Sequence, residues 1–230
     1  MNRQTVIPMD EMGIFSLDNF AGQANRVLIA DLREFVSGTR QSRVMYVWGQ
    51  PGSGKTHLLH ACSVENQRLG MTSAYCSLGG MGGKNLIAGI SDPSSLVCID
   101  DLDCIEQEGD VQEALFHTCQ LLQAGKGRLL VSGNCRLAEI GLTLKDLESR
   151  LNSGGMFRIH PLSDEEKKDA LRSRSVQKGF VLEEPALNYI LINYSRQVGD
   201  LFDLLDRLGR ESLRRQRKIT VPFIRQLISR

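Results

Sequence analysis

No run of apolar residues in this 230-residue chain approaches the roughly 20 needed for a helix to cross a bilayer, which argues against a membrane partner. Nor does Met1-Asn2-Arg3-Gln4 lead into the apolar stretch of a secretory signal, so the chain is expected in the cytoplasm. C-x-x-C spacing is missing as well. Cys62, Cys76, Cys98, Cys104, Cys119 and Cys135 are scattered, mostly in apolar stretches, and read as reduced, largely buried thiols and not as zinc ligands or disulfides. An excess of either charge is also lacking. With 28 basic and 27 acidic side chains there is no global field to recruit nucleic acid or a membrane surface, and any such partner must be met through a local patch. What remains is the composition of an ordinary globular protein, long enough for one large domain or a main domain with a small appendage.

Against that background, Gly49-Gln50-Pro51-Gly52-Ser53-Gly54-Lys55-Thr56 stands out, because it matches the phosphate-binding pattern G-x-x-x-x-G-K-[ST] at every fixed position. Backbone N–H groups in such a loop form a nest for phosphates, with Lys55 neutralising the terminal ones and the Thr56 hydroxyl available to Mg²⁺. Glycine is required where a Cβ would block the approach. Val44–Trp48 before it is a continuous apolar run, as in a buried parallel strand, and a helical pattern follows from Thr56 to Leu69 with Gly70 as terminator. An ordinary glycine-rich turn would not be expected in that setting.

Upstream, residues 1–14 show neither helical nor strand periodicity and read as a tail. Within it, Gln4-Thr5-Val6-Ile7-Pro8-Met9 is an extended peptide suited to a preformed groove, since proline lowers the ordering cost. Gln4, Ile7, Pro8 and Met9 make it resemble the Q-x-x-L-P-L type of peptide that binds the bacterial sliding clamp. Phe15 and Phe20 flank Asp18-Asn19, with Gly22 and Asn25 beyond; Phe20 either packs on a nucleotide base or pins the tail to the core. A first helix is expected over about 24–37, with Leu28, Ile29, Leu32 and Val36 on one face.

Beyond the loop, a strand is expected over 73–78, and Gly79–Gly83 reads as a connection because no Lys-Ser/Thr pair follows it. His57 and His60 read as solvated or hydrogen-bonded, with no third metal ligand in view. Leu96-Val97-Cys98-Ile99-Asp100-Asp101 has the form of a Walker B strand, about forty-five residues after Lys55. At the carboxyl end of a parallel sheet Asp100 faces the phosphate loop and can hold Mg²⁺ through water, with Asp101 placed to polarise an attacking water. Asp110-Val111-Gln112-Glu113 resembles a capping box opening a helix. The strand Arg128–Gly133 ends at Asn134, a γ-phosphate sensor or a plain turn residue. Leu144–Leu151 is amphipathic, and Met156–Ile159 is a last strand.

From Pro161 the pattern is helical throughout. Ser163-Asp164-Glu165-Glu166 is a capping box, Pro185 opens the next helix, a third spans about 196–214 and a last begins at Thr220. The expected organisation is therefore a 1–14 tail, an α/β domain over 15–161 with a parallel sheet flanked by helices, and a small helical lid over 162–230.

Phosphate loop, Asp-Asp strand, polar strand end, Ser149-Arg150-Leu151 and helical lid follow one another as in AAA+ ATPases. Asp18-Asn19-Phe20 with Gly22 and Asn25 is similar to the D-N-F…G-x-x-N segment of the bacterial replication initiator DnaA, and Leu147–Gly154 to its L-x-S-R-F-x-x-G segment. Lys218–Phe223 near the end of the chain and the clamp-type peptide at its start complete a resemblance to the Hda family of DnaA-related regulators. That resemblance implies an adenine nucleotide, ADP in preference to ATP, with Mg²⁺, held by Gly49, Pro51, Gly52 to His57 and Phe20, with Thr56 and Asp100 serving the metal. It implies Asn134 as first sensor, Asp101 beside it, and Arg150 as an arginine finger reaching the ATP held by DnaA. The partners implied are DnaA and the clamp, with DNA met indirectly, and self-association into a homodimer is left open. The function implied is negative regulation of replication initiation.

Three positions depart from the family pattern. Gly199 stands where a second-sensor arginine is expected, with Arg196 roughly one turn away, Leu151 replaces the Phe after the finger, and Ser153 replaces an aromatic. An autonomous ATPase such as a helicase loader is the alternative, since it too would use the intact loop and Asp100/Asp101. A small-molecule kinase would need an acceptor site for which Ser149-Arg150-Leu151 and the lid offer no place.

Overall fold

A computed structural model of the chain describes residues 15–79, 87 and 89–228. The peptide bearing Gln4, Ile7, Pro8 and Met9, and Gly80–Gly83 of the glycine-rich connection, lie outside the described residues. Two compact units are present. One contains Ala24–Gln50 and Lys55–His160 with the described residues up to Phe20; the other contains the chain from Pro161, together with Ala21–Gln23 and Pro51–Gly54.

The first unit is a five-stranded sheet: β1 (Val44–Trp48), β2 (Ser73–Ser77), β3 (Leu96–Asp100), β4 (Arg128–Gly133) and β5 (Gly155–Arg158). Strand order is β2-β3-β4-β1-β5, and every neighbouring pair is parallel. Helices α1 (Arg26–Ser37) and α2 (Lys55–Arg68) lie on one face, α3 (Gly109–Ala124) and α4 (Lys145–Asn152) on the other. The central strands β1, β3 and β4 are buried and largely apolar because their successive side chains feed both faces, whereas the edge strands β2 and β5 are more polar and only partly buried. Val44 and Tyr46 of β1 and Val97 and Ile99 of β3 pack with Leu115 and Leu147; Met45, Val47, Leu96 and Cys98 pack with Leu32, Phe35, Leu58 and Cys62. Register puts the carboxyl ends level, pairing Ile99 with Val131 and Trp48 with Gly133. The acids after β3, the polar residues ending β4 and the loop after β1 therefore meet at one edge.

Several element ends differ from the sequence-based expectation. The loop helix starts at Lys55, one residue early, and α1 starts at Arg26 behind a short 3-10 turn over Gln23–Asn25. The capping box read at Asp110–Glu113 does not form: α3 starts at Gly109 with Glu108 as its N-cap and no side-chain cap bond. Gln112, in the middle of that segment, is instead buried, donating to Ile105 O (2.8 Å) and Glu106 O (2.9 Å) and accepting from Leu144 N (2.9 Å). Satisfying buried backbone outweighs a cap that water can replace.

The second unit holds α5 (Asp164–Gln177), α6 (Glu184–Asn193), α7 (Val198–Arg215) and α8 (Val221–Ile228). Its core is Leu171, Leu187, Ile190, Leu201, Leu204, Leu205, Leu208 and Ile224, the periodic apolar face of each helix. Here the capping box at Ser163 is complete: its hydroxyl accepts Glu166 N (3.2 Å) and Glu166 Oε2 accepts Ser163 N (2.9 Å). The glutamate also accepts Gln23 N (2.9 Å), and these backbone bonds, Ser163's first, hold its carboxyl below the usual range.

Candidate functional site

The strand-to-helix turn at 49–56 depends on backbone conformations that only glycine reaches freely. Gly52 (φ 76°) and Gly54 (φ 97°) are both left-handed. Gly49 N donates to Gly133 O (3.2 Å), which fastens the start of the loop to the end of β4. Pro51 and Gly52 are exposed, while the Ser53 hydroxyl is buried with no hydrogen-bond partner among the described residues. Such an orphaned donor suits a phosphate oxygen.

Lys55 opens α2 and is nearly buried at 6% exposure. Its ammonium donates to Gly49 O (3.0 Å), Gln50 O (3.3 Å) and Asn134 Oδ1 (2.8 Å). Burial lowers its pKa against the opposing pull of Asp100, the strongest of three acids that act on it. Thr56 is next on the helix, and its hydroxyl donates to Asp100 Oδ2 (2.6 Å). Two oxygen ligands of the type Mg²⁺ uses, along with phosphate and water, are thus already adjacent. No group of three His, Cys, Asp or Glu side chains able to hold a metal by itself occurs among the described residues.

Around Asp100 the sheet supplies partners that sequence reading did not anticipate. Tyr75 on β2 donates its hydroxyl to Asp100 Oδ2 (3.0 Å), and Ser132 on β4 donates to Oδ1. Burial, and then Asp100's charge, push the Tyr75 phenol well above its ordinary range, so it stays a donor. Asp101 follows in a left-handed conformation (φ 62°) that turns it toward β2, where it accepts from Ser77 Oγ (2.9 Å). Burial first, and then Asp100's charge, raise its pKa. Asp103, two residues on, is the partner that sequence reading missed altogether. Its carboxylate accepts Asn134 N (2.8 Å) and Nδ2 (2.5 Å), fixing which atom of the Asn134 amide faces Lys55. A third acid at D-D-x-D spacing was its only sequence signal.

His57 and His60 lie in a ladder of rings. Phe20 lies 5.9 Å from His57, His57 5.3 Å from Phe15, Phe15 4.8 Å from His60, and His60 stacks on Tyr75 at 4.1 Å. His57 Nε2 also meets Ser16 O at 3.3 Å. Phe20 is partly buried and packs against the core cluster on the α1/α2 face. Asn25 is buried and bonds His160 in both directions, Nδ2 to its carbonyl (3.0 Å) and Oδ1 from its N–H (2.8 Å), tying the segment before α1 to the chain after β5.

Arg150 is separate from this cluster. It lies in the last turn of α4, exposed, with no hydrogen bond or ion pair to its guanidinium among the described residues. In the second unit, Gly199 occupies the first turn of α7, and a Cβ there would meet nothing within 4 Å. Arg196 precedes that helix and is ion-paired with Asp164.

Residues 164–228 match the family model described as "Hda, lid domain". An uncharacterized protein of Haemophilus influenzae is 34% identical over 238 residues, covering all of both chains. Domain III of the Thermotoga maritima replication initiation protein DnaA superposes with a TM-score of 0.76 at 19% identity, over 94% of this chain and 95% of that one. AMPPCP-bound DnaA from Aquifex aeolicus gives 0.67 at 20% identity, over 88% of this chain and 69% of that one. At such identities the two structures share the fold: a parallel sheet flanked by helices, as in AAA+ proteins.

Proposed function

We propose that this chain, whose residues 164–228 match the Hda lid domain, is an Hda-like, DnaA-related AAA+ protein that extends Arg150 to the γ-phosphate of ATP held by DnaA and stimulates its hydrolysis. The observation that carries the reading is the state of Arg150. Its guanidinium is exposed and unpaired among the described residues, whereas the Lys55 ammonium, the Thr56 hydroxyl and the Asn134 amide are each engaged within the chain. An arginine kept free of carboxylates on an α/β surface is available to an anion on another molecule. Placed on a transferring phosphoryl group in trans, a guanidinium stabilises the charge that develops, worth about 10³ to 10⁵ in rate.

The chain's own nucleotide would serve assembly. Lys55, Ser53 and the glycine loop would receive the phosphates of an adenine nucleotide, with Mg²⁺ between them and Thr56 and Asp100. With Gly199 in place of a second cationic sensor, we assign ADP to the working form. Gln4, Ile7, Pro8 and Met9 would dock on the sliding clamp and raise the effective concentration of the two AAA+ proteins on DNA. The product would be DnaA-ADP and fewer initiations.

The test is single-turnover hydrolysis of DnaA-bound ATP with and without DNA-loaded clamp, for wild type, Arg150→Ala and Gln4→Ala. Loss in both variants is expected; equal activity in all three would sink the proposal. One observation favours a second reading, an autonomous ATPase: Lys55 is bonded to Asn134 and Thr56 to Asp100 at the same sheet edge. Brisk steady-state turnover without DnaA would select it.

A further inference from the structure

Charge in this chain is balanced overall at +1 but not locally. Between residues 207 and 218 there are six basic side chains, Arg207, Arg210, Arg214, Arg215, Arg217 and Lys218, against one acid, Glu211. The remainder of the chain is therefore net acidic. The cations occupy the second half of α7 and the residues just beyond it. Arg207, Arg210, Glu211, Arg214 and Arg215 line a cleft of about 280 Å³ with Gln226 and Leu227 of α8.

Ordinary helix chemistry accounts for only part of this. Cations in a last turn complement the helix dipole, which covers Arg214 and Arg215; Arg207 and Arg210 stand one and two turns earlier, beyond the reach of that effect. Ion pairing accounts for part as well. Glu211 accepts from Arg214 (3.2 Å) and Arg215 (2.8 Å), and Arg215 also lies over the Phe223 ring at 5.8 Å. Among the described residues, Arg207 donates only to Leu227 O (3.4 Å). Arg210, Arg217 and Lys218 are exposed and have no carboxylate partner among the described residues.

We propose that this face of α7 and α8 binds the phosphate backbone of duplex DNA directly. Arg207, Arg210 and Arg214 follow i, i+3, i+7 spacing, one side of a helix, over roughly 10 Å of rise. A duplex offers about one negative charge per 1.7 Å of axis, so such a row meets several phosphates at once. Arginine outnumbers lysine five to one in the segment, and its planar fork suits phosphate oxygens. A small free anion would be satisfied inside the cleft and would leave Arg217 and Lys218 unexplained. A lipid surface would call for apolar side chains among the cations, and Leu213 is the one large exposed apolar side chain between 207 and 218. With the rest of the chain acidic, the field orients the protein as well as attracting it. This surface stands independently of the role proposed for Arg150.

The test is fluorescence anisotropy of a labelled 20-base-pair duplex with the full chain alone, between about 50 and 200 mM salt. Arg210→Ala/Arg214→Ala is expected to weaken binding at least tenfold at the lowest salt and to reduce the slope of log K against log salt by about 1.8, at 0.9 per phosphate contact. The Arg→Lys pair at the same positions should keep most of the slope, and Lys126→Ala, far along the chain, should change neither quantity. Circular dichroism melting of each variant reports its folding. No binding by wild type, an unchanged slope in the double alanine variant, full displacement of the duplex by a few millimolar inorganic phosphate, or tighter binding to phosphatidylglycerol vesicles than to the duplex would each overturn the proposal.

Discussion

Lys55 Nζ lies 2.8 Å from Asn134 Oδ1, joining the first residue of α2 to the residue just after β4. Neither side chain would hold that geometry by itself. The amide is oriented by Asp103, which accepts both Asn134 N and Nδ2 and so leaves only the oxygen to face the ammonium. Replacing the carboxylate with an amide breaks this logic, because one of the two acceptors becomes a donor.

Asp103→Asn is therefore expected to rotate or free the Asn134 side chain and to weaken nucleotide binding by about 1.5–3 kcal/mol, the usual worth of hydrogen bonds to a charged group. Titration with a fluorescent ADP analogue measures it. The same affinity in wild type and variant would show that the orientation of Asn134 has no bearing on the nucleotide.

Asp101 provides a pH test. Its folded pKa is raised above 3.8, by burial first and then by Asp100. Between the unfolded and folded values the native state holds more protons than the unfolded one, so stability falls as pH rises through that window and the penalty is fully present above it. Asp101→Asn removes the charge while tolerating the left-handed backbone, and should melt higher than wild type at pH 7 but not near pH 3. Asp101→Ala should forfeit about 1–2 kcal/mol of that gain to the φ of 62°. Thermal melts across pH 3–8 distinguish the three.

Gly199→Arg should be tolerated, since an added Cβ meets nothing within 4 Å and glycine inside a helix is worth about 1 kcal/mol less than a good helix former. A higher melting temperature is expected without nucleotide. If that position acts as the second sensor, the new guanidinium should also tighten ATP binding more than ADP binding, which calorimetry with each nucleotide would reveal.

Arg150→Lys keeps the charge but gives up the planar fork. Because the side chain is exposed and unpaired, stability should move by less than about 0.5 kcal/mol. Stimulation of DnaA-bound ATP hydrolysis should nevertheless drop by at least tenfold, and an unimpaired lysine variant would mean that bidentate contact is not what the finger supplies.

The sequence by itself determined the elements whose chemistry is local. The phosphate loop needs glycines at left-handed positions, each central strand needs apolar side chains on both faces, and Ser163 with Glu166 closes its own cap, so all three were legible in residue order. The Asp110–Glu113 cap was misread for the same reason: its pattern is local, but buried Gln112 answers to carbonyls and an N–H brought from elsewhere by the fold. Only the tertiary structure decided that Tyr75 and Ser132 converge on Asp100, that Asp101 turns to Ser77, and that Asp103 orients Asn134. Those partners come from three strands far apart in the chain, and parallel pairing of β2, β3 and β4 is what brings their carboxyl ends to one edge.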